Sequence, residues 1–204
     1  MKSPNYCIIT VAECQSKSLP KNLELCRQLK TYVEDKVTNS LIYFGVFTTG
    51  NNAGALAYFE HYSTLRDFEQ AFEIYQDSSH YQTLFNGERA SIKSSNFIKY
   101  SPVNYEQDLE GKGRYLVLTR VKTGRSMLTS INKLAPIFSG NGALTYRLGS
   151  IISGENVGNE LLAVSYSSME QIEKAYDLLA YNSDYGHLVN NVTVNSRNII
   201  KLEF

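Results

Sequence analysis

The apolar positions change period along the chain in a regular order. Tyr6 to Val11 (YCIITV) is short, β-branched and aromatic, the pattern of a strand. Ser18-Leu19-Pro20 then supplies a helix start, and Leu25, Leu29, Tyr32, Val33 and Val37 recur at three- and four-residue spacings as one apolar face. Leu41 to Thr48 predicts a second strand, Gly50-Asn51-Asn52-Ala53-Gly54 a turn, and Ala55 to Tyr62 a third strand. Ser63 or Thr64 can cap a second helix whose buried face should be Leu65, Phe68, Ala71, Phe72 and Tyr75. After the polar break Gln76-Asp77-Ser78-Ser79, a shorter helical piece runs through Tyr81, Leu84 and Phe85. Phe97 to Tyr100 closes the half as a fourth strand.

The programme then repeats. Shifted by 104 residues, Gly45–Glu88 aligns without a gap on Gly149–Val192, with 12 of the 44 positions identical. Among the pairs are Gly45/Gly149, Asn52/Asn156, Tyr62/Tyr166, Ser63/Ser167 and Tyr81/Tyr185. Second-half strands are expected at Tyr115–Arg120, Leu144–Ile152, Asn159–Tyr166 and Ile199–Phe204. Helical faces fall on Met127, Leu128, Ile131, Leu134 and Phe138, interrupted by Pro136, and on Met169, Ile172, Ala175, Tyr176 and Leu179. The sequence therefore divides into a repeat over residues 1–100, a Pro-, Gly- and charge-marked linker over 101–113, and a repeat over 114–204.

Each half has the order strand, helix, strand, strand, helix, strand, that of the ferredoxin-like βαββαβ motif. The expected class is α+β: two tandem ferredoxin-like repeats, packed sheet to sheet as a pseudo-two-fold dimeric α+β barrel. On the third strand Ala55, Ala57, Phe59 and His61 point one way and Leu56, Tyr58, Glu60 and Tyr62 the other. Both sets carry apolar bulk, as in a sheet covered on both faces.

The stretch Tyr58-Phe59-Glu60-His61-Tyr62-Ser63-Thr64-Leu65, followed by Ala71-Phe72 and Ser78-Ser79-His80-Tyr81, resembles the dimeric α+β barrel superfamily. That superfamily includes antibiotic-biosynthesis and haem-degrading monooxygenases and stress-responsive barrel proteins. The resemblance implies a pocket between sheet and helices, and a monooxygenase-like activity as one outcome. The haem-degrading members use a tryptophan near the end of the third strand, a helix histidine and a strand asparagine. This chain has no tryptophan, holds His61 and Ser165 at the nearest positions, and places Asp184 opposite His80. No haem or other cofactor is expected.

Composition narrows the classes further. The 204 residues carry 20 basic and 20 acidic side chains, so the formal net charge is zero, which argues against nucleic acid as partner. No apolar run approaches the length of a membrane span, and Met1-Lys2-Ser3-Pro4-Asn5 lacks an apolar signal core, so a soluble cytoplasmic protein is expected. Cys7, Cys14 and Cys26 are odd in number and confined to one half, a pattern without a disulfide framework or a metal set.

Candidate chemistry is sparse. His61, His80 and His187 lack counterparts in the other half; His61 and His80 are the catalytic candidates, with a rim or surface role as the plainer alternative. Gly50-x-Asn52-x-Gly54 and Gly154-x-Asn156-x-Gly158 join strands, so they read as hairpin turns rather than phosphate cradles. Tyr58, Tyr62, Tyr81, Tyr166 and Tyr185 are candidate ligand-binding residues if a pocket opens between sheet and helices. Arg147, and with it Arg120, can pair an anionic ligand or face solvent from a strand edge. Two functions stay open. One is a small-molecule-binding or interaction protein with a small apolar or aromatic ligand. The other is a cofactor-independent monooxygenase-like enzyme or isomerase, with its pocket in the first half. The assembly is expected to be a monomer with an internal pseudo-dimer, or a larger homo-oligomer formed through exposed strand edges.

Overall fold

The computed structural model describes residues 4–86 and 89–204, with the side chain of Asn86 also outside the description. Residues 1–3, on which the reading of the amino terminus partly rests, lie outside it. Eight strands run β1 (Tyr6–Cys14), β2 (Ser40–Phe47), β3 (Leu56–Tyr62), β4 (Ala90–Tyr100), β5 (Tyr115–Lys122), β6 (Ala143–Gly154), β7 (Glu160–Tyr166) and β8 (Thr193–Glu203). The helices are α1 (Leu19–Glu34), α2 (Leu65–Asp77), α3 (Ser79–Tyr81), α4 (Leu128–Gly140), α5 (Met169–Ala180) and α6 (Ser183–Asn190). A wider, π-type turn over Gln82–Asn86 continues α3.

The strands form one closed antiparallel barrel in the order β1-β3-β2-β8-β5-β7-β6-β4. Its first-half portion reads β4-β1-β3-β2 and its second-half portion β8-β5-β7-β6, the same order twice. The fold is thus α+β, an eight-stranded antiparallel barrel with six helices. Two seams join the portions, β2 to β8 over Phe44–Phe47 and β4 to β6 over Asn96–Tyr100. The seams pair only part of each strand: Ala90–Ser95 of β4 and Thr193–Asn198 of β8 have a ladder partner on one side only, so strand edges remain there although the barrel is closed.

The repeated glycines Gly45 and Gly149 sit on these two seams. A Cβ on Gly45 would meet the Lys201 carbonyl oxygen at 2.2 Å, and one on Gly149 would meet Ile98 Cγ2 at 2.4 Å. Close approach of the joined strands is the physical reason for glycine at both places.

Strand alternation builds three cores. Inward residues such as Ile9, Ala57, Phe59, Ile98, Leu118 and Ile200 fill the barrel. Outward Ile8, Leu56, Tyr58 and Tyr62 meet α1 and α2, whereas Val117, Tyr146, Leu148 and Val164 meet α4 and α5. Thr64 caps α2 in a reciprocal box with Asp67, and Ser168 caps α5 with Gln171, so the caps lie one residue beyond Ser63 and Ser167. Pro136 lies inside α4, which continues through it rather than breaking.

Two sequence expectations fail for local reasons. Phe72 is half exposed, because α2 stands off the sheet over a cavity, and Leu65 and its counterpart Met169, each the first residue of its helix, are half exposed as well. The fourth strand of each half begins far earlier than Phe97 and Ile199, since Ala90–Asn96 and Thr193–Asn198 pair by their backbones while their side chains are mostly polar. The linker is not loose either. Ser101 N–H donates to Leu148 O, Gln107 exchanges two bonds with the backbone of Tyr146, and Asp108 N–H donates to Leu144 O. Residues 101–113 form a strap along β6 beyond the point where β4 leaves it.

Candidate functional site

β3 presents two different chemistries from one strand. Tyr58, Glu60 and Tyr62 point outward beneath α2, and His61 points into the barrel.

The outer site is a cavity of about 510 Å³ between the first-half sheet and α2, within the usual size range of ligand pockets. Aromatic rings dominate its walls: Tyr58, Phe68, Phe72, Tyr75, Tyr81 and Phe85. Tyr81 packs between Tyr75 and Phe85, with ring centroids at 5.4 and 4.9 Å. One charged group lies among them. Glu60 is buried and its Oε2 accepts from the Tyr62 hydroxyl at 2.8 Å. Burial pushes its pKa up to about 7, with the Tyr62 and Tyr75 hydroxyls pulling the other way. The hydroxyls of Tyr58 and Tyr75 are buried without a hydrogen-bond partner of normal geometry. Both phenols are held well above their ordinary pKa by burial first and by Glu60 second, so both stay protonated.

The matching space in the second half is nearly filled, with about 30 Å³ left beneath α5. Leu162, Val164 and Leu179 stand 104 residues after Tyr58, Glu60 and Tyr75. Phe138 and Tyr146 pack there with centroids 4.6 Å apart.

The inner cavity holds about 50 Å³ and lies inside one end of the barrel, beneath Asp108, Gly111 and Gly113 of the strap. Equivalent positions of the two halves face each other across it: Tyr43 and Arg147, Phe59 and Ala163, His61 and Ser165. The His61 ring stacks on Tyr100 at 5.9 Å and meets Tyr43 edge-on at 5.6 Å. Burial, and then the Arg147 charge, hold its pKa well below the ordinary value, so His61 is neutral at pH 7. Burial keeps the Tyr100 phenol protonated. Tyr100 OH and His61 Nδ1 share a hydrogen bond of 3.2 Å whose direction is set by the imidazole tautomer.

The structure thus separates residues that the sequence groups together. Tyr58, Tyr62 and Tyr81 belong to the outer first-half site, and His61 and Arg147 to the barrel interior. Arg147 is 7% exposed, not solvent-facing. His80 lies half buried outside both cavities, its ring edge-on to Tyr32 at 6.2 Å. Tyr166 is fully buried with an unpartnered hydroxyl, and Tyr185 accepts from Arg197 Nη2 at 3.0 Å beside the filled pocket. Glu60 was not singled out from sequence; the available signal was a carboxylate alternating with Tyr58 and Tyr62 on a covered strand face, replaced by Val164 in the repeat. All three cysteines are free, and burial pushes the thiols of Cys7 and Cys26 up to about 12, far from the nucleophilic thiolate. The repeated hairpin loops carry positive φ at Gly50, Gly54, Gly154 and Gly158, as turn glycines do.

Haem does not fit these sites. No histidine lines either outer pocket, the second-half pocket is filled, and burial disfavours the phenolate form in which a tyrosine such as Tyr58 would bind iron.

Solved structures with similar folds span nearly the whole chain. A chlorite dismutase variant from Candidatus Nitrospira defluvii superposes with a TM-score of 0.64 at 10% identity, covering 100% of this chain and 93% of that one. A putative monooxygenase from Lactobacillus acidophilus gives 0.60 at 12% identity, covering 99% and 94%. An anthrone oxidase-like protein gives 0.63 at 11% identity, covering 100% and 93%. At these identities the likeness is one of fold. No curated protein matches the chain significantly. Among the described residues no helix is long and apolar enough to cross a membrane. A family profile described as "Domain of unknown function (DUF6854)" matches residues 4–100 and again 113–202, and the chain belongs to that family.

Proposed function

We propose that the protein binds a small apolar or aromatic ligand in the outer pocket of its first half. The observation that carries this reading is the 510 Å³ aromatic-walled cavity ending at the buried Glu60. Flat rings find stacking surfaces on Phe68, Phe72 and Tyr81, and a polar group on the ligand finds the Glu60 carboxyl, which with a pKa of about 7 offers both its acid and its carboxylate form near neutral pH. In this reading the chain is two tandem ferredoxin-like repeats, 1–100 and 114–204, joined by 101–113. Tyr58, Tyr62 and Tyr81 serve the working copy, while Tyr166 and Tyr185 persist in a copy that has become structural.

The test is a thermal-shift and fluorescence titration with quinones and polycyclic phenols, on the unmodified chain and on Ser95→Phe. Ser95 lines the pocket, and phenylalanine there narrows it. The reading expects saturable stabilisation by at least one such compound, weakened in the narrowed variant. Stabilisation that survives Ser95→Phe undiminished, or none with any compound, removes it.

A second reading, cofactor-independent oxygenase-like or isomerase chemistry, is favoured by one further fact. Glu60 titrates close to neutrality, where a carboxyl both gives and takes a proton readily. Glu60→Gln, which keeps the shape and loses the proton, separates the two readings: binding retained with turnover lost supports the enzyme.

A further inference from the structure

Arg147 is the feature that the outer pocket leaves unexplained. Its side chain lies inside the barrel, 7% exposed, with its guanidinium carbon 5.3 Å from the centre of the Tyr100 ring. Among the described residues it makes no ion pair and no hydrogen bond, and its guanidinium nitrogens, unlike Arg120 Nε, are not wholly shut off from the cavity space. A buried cation is expensive unless it is paired, and stacking on one ring offsets only part of that cost.

No anion is paired with it. The one carboxylate among the lining residues, Asp108, accepts through Oδ1 from the amides of Glu110 at 3.1 Å and Gly111 at 2.7 Å, which holds it in its turn of the strap, and it forms no ion pair with Arg147. The neighbouring His61 is neutral and Tyr43 and Tyr100 keep their protons. Thr145 and Ser165 bond each other, at 2.7 Å, on the same wall. Arg147 is therefore a single fixed positive charge facing a small cavity. The rest of the wall, Ile9, Phe59, Leu116, Leu118 and Leu202, is apolar.

We propose that this cavity binds a small monocarboxylate. Its carboxylate pairs with the Arg147 guanidinium, whose planar fork matches two carboxylate oxygens, and its short apolar portion lies against Phe59 and Leu118. About 50 Å³ suits a ligand of acetate size. The single unpaired charge favours a monoanion over a dicarboxylate or phosphate. The site lies where the two halves meet, and its polarity depends on their divergence: Arg147 stands where the first half has Tyr43. It is separate from the Glu60 pocket and stands or falls independently of it.

The experiment is a titration of the full chain with sodium acetate, propionate and butyrate against sodium chloride and sodium phosphate at equal ionic strength. Thermal unfolding and the arginine Nε–Hε resonances are followed together. The expected result is a saturable rise in Tm with carboxylate alone, and a shift of the Arg147 side-chain resonance with the same midpoint. Arg147→Leu is expected to lose the response. Ala163→Phe, which keeps the arginine and fills the cavity from β7, is expected to lose it too, which guards against a folding defect in the first variant. The proposal is overturned if chloride or phosphate gives the same response, if the response survives in both variants, or if carboxylate leaves the Arg147 resonance unmoved in the unmodified chain.

Discussion

The first- and second-half outer pockets begin from the same strand-helix frame and end as opposites. Under α2 the sheet presents Tyr58, Glu60 and Tyr75 to a cavity of about 510 Å³; under α5 the corresponding Leu162, Val164 and Leu179 are packed to about 30 Å³. Both helices are capped by the same reciprocal box, and both second strands meet the neighbouring sheet through a glycine. The frame is therefore shared by both halves, and Glu60 belongs to the first alone. Unpartnered buried hydroxyls occur in both, Tyr58 and Tyr75 in the first and Tyr166 in the second, so it is the open space beside a buried carboxyl that points to a use that stability does not provide.

The largest expected effect tests the filled side. Phe138→Ala removes a 2%-exposed ring packed on Tyr146 and should cost about 3–5 kcal/mol. Phe68→Ala in the first half, where the ring already borders a cavity, should cost less than half as much. Denaturant midpoints at constant m-value decide this, and equal costs would mean that the two pockets do not differ in packing.

Next are the seams, which the halves share. Gly45→Val and Gly149→Val force a side chain against a neighbouring strand and should each cost about 3 kcal/mol or more. A large effect at one seam only would show that the barrel tolerates opening on the other side.

Glu60→Gln should matter about as much, but only above a certain pH. The folded chain holds the Glu60 proton up to about pH 7, whereas the unfolded chain releases it near the ordinary value of 4.5. The fold binds the proton more tightly, so stability from this group is complete below about pH 4.5. It declines between there and pH 7, and is then level, on the order of 3 kcal/mol lower. Glu60→Gln removes that decline. The variant should be more stable than the unmodified chain at pH 8, with the advantage gone at pH 4. Parallel stability curves would mean that Glu60 ionises normally.

These expectations also mark what the sequence makes legible. The repeat, the alternation on β3 and the helix faces are written in apolar periodicity, because burial selects residue type position by position. The barrel closure is not, since seams are made by backbone groups; Gly45/Gly149 is the trace they leave. For the same reason the polar starts of β4 and β8 read as loop. The sites are harder still. His61 and Tyr62 adjoin in sequence, yet the pleat sends them to different cavities, and whether Arg147 faces solvent or the barrel depends on which face the closed sheet turns inward.

The smallest expected effect is the sharpest form of the comparison, because it concerns one residue pair that both halves keep. Tyr62 and Tyr166 are both fully buried. The Tyr62 hydroxyl donates to Glu60 Oε2 at 2.8 Å, while the Tyr166 hydroxyl, in the half that has Val164 in place of Glu60, has no partner. Tyr62→Phe removes a bond to a buried carboxyl and should cost about 1 kcal/mol, rising above pH 7 where the carboxylate is the acceptor. It should also push the Glu60 pKa higher, since the Tyr62 bond lowers it. Tyr166→Phe removes a buried oxygen that bonds to nothing, so it should be neutral or stabilising by up to about 1 kcal/mol. Opposite signs, measured from denaturant midpoints at pH 6 and pH 8, would show that the first-half hydroxyl is held by its carboxylate. Equal costs at both pH values would show that each tyrosine is kept for its ring alone, and that Glu60 is incidental to the first-half core.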